Sequence, residues 1–272
     1  MSEILALESQ PSPPAVRRPA ASWPAVAIAT AVAFAGAVVV AGFEIPGSQL
    51  WPWQPAMIDL DVYRRTGTSV IAGQDFMNAD GLPWIYPPFA AFFAVPLAWL
   101  PVAGAQLLWL ALCALCLVAI LYRFGLNGWK LTVLAAAVVL LFDPVRQTLG
   151  YGQVGIFLVA LLVLDAVAGP RILGRRYLPA GWLTGIATAV KLTPAVIAVY
   201  NFFSARLRPA FAAFGAFALA TLVGVFVFPR ASVQFFSDTV SGSNGMAQTY
   251  AYSMNQSVIG VWSRLFGIET PS

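Results

Sequence analysis

No histidine occurs anywhere in the 272 residues. That excludes an imidazole base and any histidine-ligated metal centre. Charge is nearly as scarce: Asp, Glu, Lys and Arg make up 10% of the chain, against 60% hydrophobic residues and a mean hydropathy of +0.79. No soluble domain needs so apolar a composition, even with a large core. The two cysteines, Cys113 and Cys116, form a CxxC, but inside the run ALCALCLVAIL. There they read as small apolar packing groups in a membrane helix. The sequence contains no glycine-rich phosphate loop of nucleotide-binding spacing, no internal repeat and no stretch composed like a soluble domain. The net charge of +4 and pI near 9.3 do not mark a nucleic-acid binder, because the basic residues fall mostly in short loops, where they orient membrane proteins.

What the chain does have is long apolar runs. The fold class this predicts is an all-α polytopic membrane protein with re-entrant or half helices. Residues 1–22, rich in Pro, Ala and Ser, read as a disordered cytoplasmic tail, and 23–272 as the membrane domain. Runs over 23–43, 102–122, 156–168 and 209–228 are expected to span. The run 87–100 is too short for a comfortable crossing and is punctuated by Pro87, Pro88 and Pro96, which suits a half-helix buried in protein. Residues 180–203, broken at Lys191-Leu-Thr-Pro194, read as a hairpin that enters and leaves on the cytoplasmic side. With 1–22, 123–130, 170–179 and 204–208 inside, nine of the 15 basic residues are cytoplasmic and five external, with Lys191 left within the membrane. Two external loops, 44–86 and 229–256, and the segment 143–152 then share one face.

The loop 44–86 concentrates the chain's polar chemistry: Asp59, Asp61, Arg64, Arg65, Trp84 and Tyr86 fall within it. Asp59 and Asp61 are candidates for a catalytic carboxylate. On a helix they would point about 200° apart, so at most one serves a given pocket. Arg64 and Arg65 offer forked contacts to a phosphate or, equally, anchors against anionic headgroups. Lys191 within an apolar hairpin is costly unless paired or functional; snorkelling to the interface is its other explanation. Trp84 and Tyr86 suit a sugar ring or a polyprenyl chain, and also an interfacial aromatic belt. Gln153, Asn255 and Gln256 suit sugar hydroxyls or helix caps. Asp143 and Arg146 are expected to pair across one helical turn, and Asp165 to be satisfied by the arginines that follow it. Asp59 and Asp61 could together ligate Mg²⁺, but an Asp-x-Asp by itself has too little specificity to assign a metal site, and none is assigned.

The blocks DLDVYRRTGTSVIAGQDF…YPPFAAFFAVPLAWLP, DPVRQTLGYGQVGIFLVALLVLD, GIATAVKLTPAVIAVY and NQSVIGVWSR occur in that order over residues 57–264. Together they resemble glycosyltransferase family 87, the actinobacterial polyprenyl-phosphate-mannose-dependent α-1,2-mannosyltransferases of the GT-C superfamily. The resemblance implies an inverting, multi-pass cell-membrane enzyme. It would transfer mannose from a lipid-phosphate donor to a lipid-linked envelope glycan of the lipomannan kind, on the external face, with no cofactor beyond the donor. Membrane lipids, the donor and the glycolipid acceptor are the implied partners; nucleic acid is not one. The resemblance also places the catalytic aspartate at Asp59, with Asp61 second. Some relatives are similar to arabinosyltransferases. Two departures stand out: Gly155 occupies the position where the family usually reads Asn in GQVN, and the chain stops at Ser272 where family members run on, so a C-terminal truncation is expected. A transporter or lipid flippase, which also uses broken helices, and a non-catalytic relative are the competing readings.

Overall fold

The structure, a computed structural model, describes residues 23–77, 81–169, 178–241 and 258–267. Among these it contains twelve α-helices, one 3₁₀ turn and no strand. The helix α1 (Trp23–Ala41) buries Ala29, Ala33, Ala37 and Ala41 completely, one alanine per turn. This stripe lets α1 lie close to α4 (Val102–Arg123) and α5 (Gly128–Leu141). Small residues at such contacts are what hold helices together where lipid is as apolar as leucine. The long helix α10 (Leu207–Val227) repeats the device, burying Ala210, Ala213, Ala216, Ala220 and Gly224 while Phe211, Phe214, Leu222 and Phe226 face outward.

Helices α1, α4 and α10 are each long and apolar enough to cross a membrane. A fourth crossing arises if α5 and α6 (Asp143–Tyr151) count as one span bent by 72° at Phe142. The span expected over 156–168 is shorter than predicted. Helix α7 (Gly155–Ala166) has 12 residues, about 18 Å against the roughly 30 Å of a hydrocarbon core. Helices α8 (Trp182–Val190) and α9 (Ala195–Phe203) have nine residues each and are separated by Lys191-Leu-Thr-Pro194. Pro194 has no amide proton to continue the ladder, so α8 stops at Val190. The N-terminus of α8 and the C-terminus of α9 both lie beside the start of α10, so the pair folds back as a hairpin with Lys191 near its tip. The 3₁₀ turn Pro88–Ala90 and α3 (Ala91–Ala98, with Pro96 inside) form the expected half-helix.

The expected external loop 44–86 contains a helix, α2 (Ile58–Ile71), which packs along α3. Gly67 makes that approach possible: a Cβ there would lie 2.3 Å from the Ala94 carbonyl oxygen. Segment 229–256 begins as α11 (Pro229–Ser241), and α12 (Val258–Phe266) follows after 242–257.

The two ends of the bundle differ in charge. One gathers the C-terminus of α4 with Arg123, whose guanidinium donates to the Gly169 carbonyl after α7, the start of α5 with Lys130, and the start of α10 with Arg206 and Arg208. The other gathers the C-terminus of α1, helix α2, the start of α7, the Lys191 tip and the end of α10. The candidate residues among those described sit at this second end.

Candidate active site

Met57 precedes α2 with a left-handed backbone (φ 36°) and is buried, which seats the first turn of the helix. Asp59 is the second residue of that turn, where the free amide groups and the helix dipole favour a carboxylate. Tyr63 follows four residues on, and Leu60, Val62 and Thr66 are buried beside it. This face of α2 looks into the protein, while Asp61 and Arg65, also four apart, pair on the opposite face at 2.9 Å.

Three other elements bring side chains to Asp59. Between α6 and α7 the chain turns at Gly152 (φ +71°), where a Cβ would sit 2.8 Å from the Leu60 Cβ. Only glycine permits both the backbone and that approach to α2. The next residue, Gln153, donates its side-chain hydrogen bond to the Asp59 carboxylate. From the break between α8 and α9, Lys191 acts electrostatically on Asp59, and its Nζ lies 5.4 Å from the centroid of the Tyr86 ring. Tyr86, from the YPP turn before α3, shares a hydroxyl–hydroxyl hydrogen bond of 2.9 Å with Tyr63.

Burial is the largest influence on Asp59 and raises its pKa above the ordinary carboxylate range. The Gln153 hydrogen bond and then the Lys191 charge oppose it, because both favour the anion. The result is a half-buried carboxylate, less solvated than a surface acid, with a cation and an amide that stabilise its charged form. Burial also raises the Tyr63 and Tyr86 hydroxyls, which stay neutral hydrogen-bonding groups. The backbone N–H of Val154 donates to the Tyr63 hydroxyl, tying α2 to the start of α7.

Asp59, Lys191, Tyr86 and Gln153 are thus brought together from four stretches of the sequence. Trp84 joins them in the aromatic layer, 5.3 Å from Tyr86 and 6.1 Å from Tyr63 between ring centroids. Its indole N–H is buried without a hydrogen-bond partner in the protein. Arg64 and Arg65 do not join the group. Arg64 donates to the Leu100 carbonyl at 2.9 Å, beyond the end of α3, and Arg65 is engaged with Asp61. Asp59 and Asp61 therefore diverge rather than form one chelating pair. Among the described residues no three or more Cys, Asp or Glu side chains cluster as metal ligands. Asn255 and Gln256 lie outside the described residues.

Two expected pairings need comment. Asp143 and Arg146 do not pair: Asp143 accepts from Gln147 at 2.8 Å, whereas Arg146 reaches back to Glu44 through Nε at 2.9 Å and Nη2 at 2.5 Å. The bend between α5 and α6 turns Arg146 toward the end of α1, where it also lies over the Phe43 ring at 5.8 Å. Asp165 accepts from the Gly181 and Thr184 amides at 3.0 Å and from the Thr184 hydroxyl at 2.8 Å, at the start of α8. The arginines after it lie outside the described residues.

Tyr63 and Trp109 were not singled out in the sequence. Tyr63 had a usable signal, the helical i, i+4 spacing from Asp59. Trp109, buried on α4 and 5.5 Å from Tyr63, had none, because nothing local distinguishes it from other span aromatics.

A helical membrane protein with a half-buried carboxylate, a lysine and an aromatic layer at one end of its bundle is the class that fold and site define. The sequence profile of glycosyltransferase family 87 matches residues 84–271, and the chain belongs to that family. A polyprenol-phosphate-mannose-dependent α-(1-2)-phosphatidylinositol mannoside mannosyltransferase of Mycolicibacterium smegmatis is 30% identical over 262 residues, 86% of this chain and 58% of that protein. The corresponding pentamannoside mannosyltransferase of Mycobacterium tuberculosis is 31% identical over 282 residues, 98% of this chain and 63% of that protein. The chain thus spans less than two-thirds of the length of these relatives. No solved structure matches.

Proposed function

We propose that the protein transfers mannose from polyprenyl-phosphate-mannose to a hydroxyl of a lipid-linked envelope glycan, with inversion, at the external membrane face. The observation that carries the reading is the convergence of Asp59, Gln153, Lys191 and Tyr86 on one half-buried site. In this reading the acceptor oxygen attacks the anomeric carbon as the bond to the donor phosphate breaks. Asp59 takes the hydroxyl proton, and polyprenyl phosphate leaves as the anion. A base poised above the ordinary carboxylate range is better matched to that work than a solvated aspartate. Its negative charge also favours the oxocarbenium-like transition state.

Lys191 is assigned to the departing phosphate, whose charge grows as the bond breaks. Gln153 holds Asp59 and offers its remaining amide atoms to a sugar hydroxyl, and Trp84 and Tyr86 form the wall against the sugar or the isoprenoid. Asn255 and Gln256 remain candidates for acceptor hydroxyls. Asp61 and Arg65 are assigned to the membrane surface, where the exposed pair suits headgroup contact, and Arg64 to holding α3 against α2. Mannose is favoured over arabinose because the similar mycobacterial proteins are mannosyltransferases. The external assignment is supported by Arg123, Lys130, Arg206 and Arg208 at the opposite end of the bundle.

The test is transfer of radiolabelled mannose from polyprenyl-phosphate-mannose to endogenous glycolipid in membranes, comparing the chain with its Asp59→Asn variant at matched insertion. Transfer lost on substitution is the expected outcome, at about 10²–10⁴-fold for a general base. Transfer that survives Asp59→Asn overturns the assignment of the base.

A further inference from the structure

A concavity lies between the end of α2 and the start of α11, and Asp59 is not part of its lining. Its volume is about 450 Å³, and Gln74, Asp75, Phe76, Phe228, Arg230 and Gln234 are among its lining residues. The size falls within the roughly 300–1,000 Å³ of small-molecule sites. Its lining is unusual for so apolar a chain: two amides, a carboxylate and a guanidinium, set around two phenyl rings packed edge to face at 5.4 Å.

The chemistry of that lining selects among ligands. A hydroxyl donates and accepts at once, so a polyol matches a wall that offers donors on Arg230 and both kinds of group on Gln74, beside Asp75, whose Oδ1 accepts from the Met77 amide at 2.9 Å. The C–H face of a pyranose is apolar and fits a phenyl ring. A phosphate group suits the site less well, because Asp75 puts a like charge into the same lining. The position is equally informative. The Phe76 ring meets Trp84 edge to face at 6.2 Å, and Trp84 meets Tyr86 of the candidate active site at 5.3 Å. The cavity is therefore linked to the candidate active site by a chain of aromatic contacts, Phe76 to Trp84 to Tyr86.

We propose that this cavity is a subsite for a neutral sugar of the acceptor glycan, one or more residues removed from the hydroxyl that reacts. The proposal rests on the transferase reading above for the word acceptor, but the sugar site itself does not require catalysis. A multi-sugar acceptor would be held at two points, so that its reactive hydroxyl is presented to Asp59 from a fixed register.

The test uses the full chain in membranes, with Cys113 and Cys116 replaced by alanine and a single Gln74→Cys at the rim of the cavity. Maleimide labelling is followed with α-1,2-mannotriose, farnesyl phosphate or inorganic phosphate present. Mannotriose is expected to slow labelling at least threefold, with the two phosphates without effect. Labelling unmoved by mannotriose, or slowed as much by farnesyl phosphate, overturns the proposal. Arg230→Cys, on the other side of the opening, repeats the test should Gln74→Cys fail to insert. In the transfer assay, Gln74→Ala with Gln234→Ala should raise the acceptor KM about tenfold while donor KM and kcat stay within twofold. A merely structural role would move all three. Protection by mannotriose in a chain that transfers no mannose would keep the sugar site and sink the transferase reading; transfer without protection would do the reverse.

Discussion

Lys191 Nζ lies 5.4 Å from the centroid of the Tyr86 ring, and the same ammonium stabilises the charged form of Asp59. One cation is thereby shared between an aromatic face and a carboxylate. It arrives from a chain break that leaves α8 and α9 at nine residues each. Both interactions draw the ammonium toward the candidate site, whereas a snorkelling lysine would turn it to the interface.

Lys191→Met keeps the length of the side chain and removes the charge. If the ammonium meets the donor phosphate, the donor KM should rise about tenfold or more, the acceptor KM should stay nearly unchanged, and Lys191→Arg should recover part of the loss. Steady-state transfer with each substrate varied separately checks this. A variant that loses acceptor affinity alone would move Lys191 out of the donor site.

The acid limb of the pH profile follows from the forces on Asp59. The base works when ionised, so transfer is retained above its pKa and falls as pH drops through it. Burial raises that pKa, while the Gln153 hydrogen bond and Lys191 hold it down. Removing Gln153 takes away one of the restraints, so Gln153→Ala should shift the acid limb of kcat/KM to higher pH. A limb that stays fixed or moves down would show that another group titrates there.

Tyr63 supports the site without belonging to it in the sequence motif. Its hydroxyl links Tyr86 at 2.9 Å with the backbone of Val154. Tyr63→Phe removes both links and leaves the half-buried Val154 N–H without this acceptor, a loss of about 1–3 kcal/mol. Transfer is expected to fall about tenfold through kcat, with the pH limb unmoved, because Gln153 and Lys191 remain. A pH-profile shift equal to that of Gln153→Ala would instead place the hydroxyl on the carboxylate.

Much of this arrangement was legible before folding. Composition dictates a membrane bundle, and a lysine followed by Thr-Pro inside an apolar run marks a break worth explaining. The preference for Asp59 over Asp61 comes from its place at the head of the DLxVY pattern and from the family resemblance, while helical spacing says only that the two diverge. What the sequence did not expose was long-range pairing. The Glu44–Arg146 and Asp165–Thr184 contacts depend on which helix ends meet, and short-range spacing pointed Arg146 to the wrong partner, Asp143. The contents of the 44–86 segment were similarly hidden, because α2 is amphipathic and lies beside the spans without crossing. The cavity at α11 draws residues from two distant segments, neither of which carries a motif.

Glu44→Ala leaves Arg146 without its carboxylate at the junction of α1 and α6. Glu44 Oε2 receives both Nε and Nη2, and the glutamate side chain is 9% exposed. Loss of one partner of so enclosed a pair should cost about 2–4 kcal/mol. Thermal unfolding in detergent should show a lower Tm, with Glu44→Gln intermediate. An unchanged Tm would mean the pair is no more than a surface contact.

Asp165 gives the most stringent separation of stability from chemistry, since it lies at the charged end of the bundle, opposite Lys191 along α8. Its carboxylate accepts from two amides and one hydroxyl at the start of α8, and α8 ends where Lys191 begins. Asp165→Ala leaves those donors unsatisfied in a buried place, at a cost of about 1–3 kcal/mol. Because α8 is only nine residues long and packs on α10 through close backbone approach, loosening its start should let its far end drift. The donor KM should therefore rise several-fold at a temperature where the protein remains folded, although Asp165 touches no reacting atom. Asp165→Asn, which retains an acceptor oxygen, should restore most of the Tm and of the donor KM together. Recovery of the Tm without recovery of the KM would separate the two ends of α8 and would mean that Lys191 is positioned by α9 and Pro194 instead.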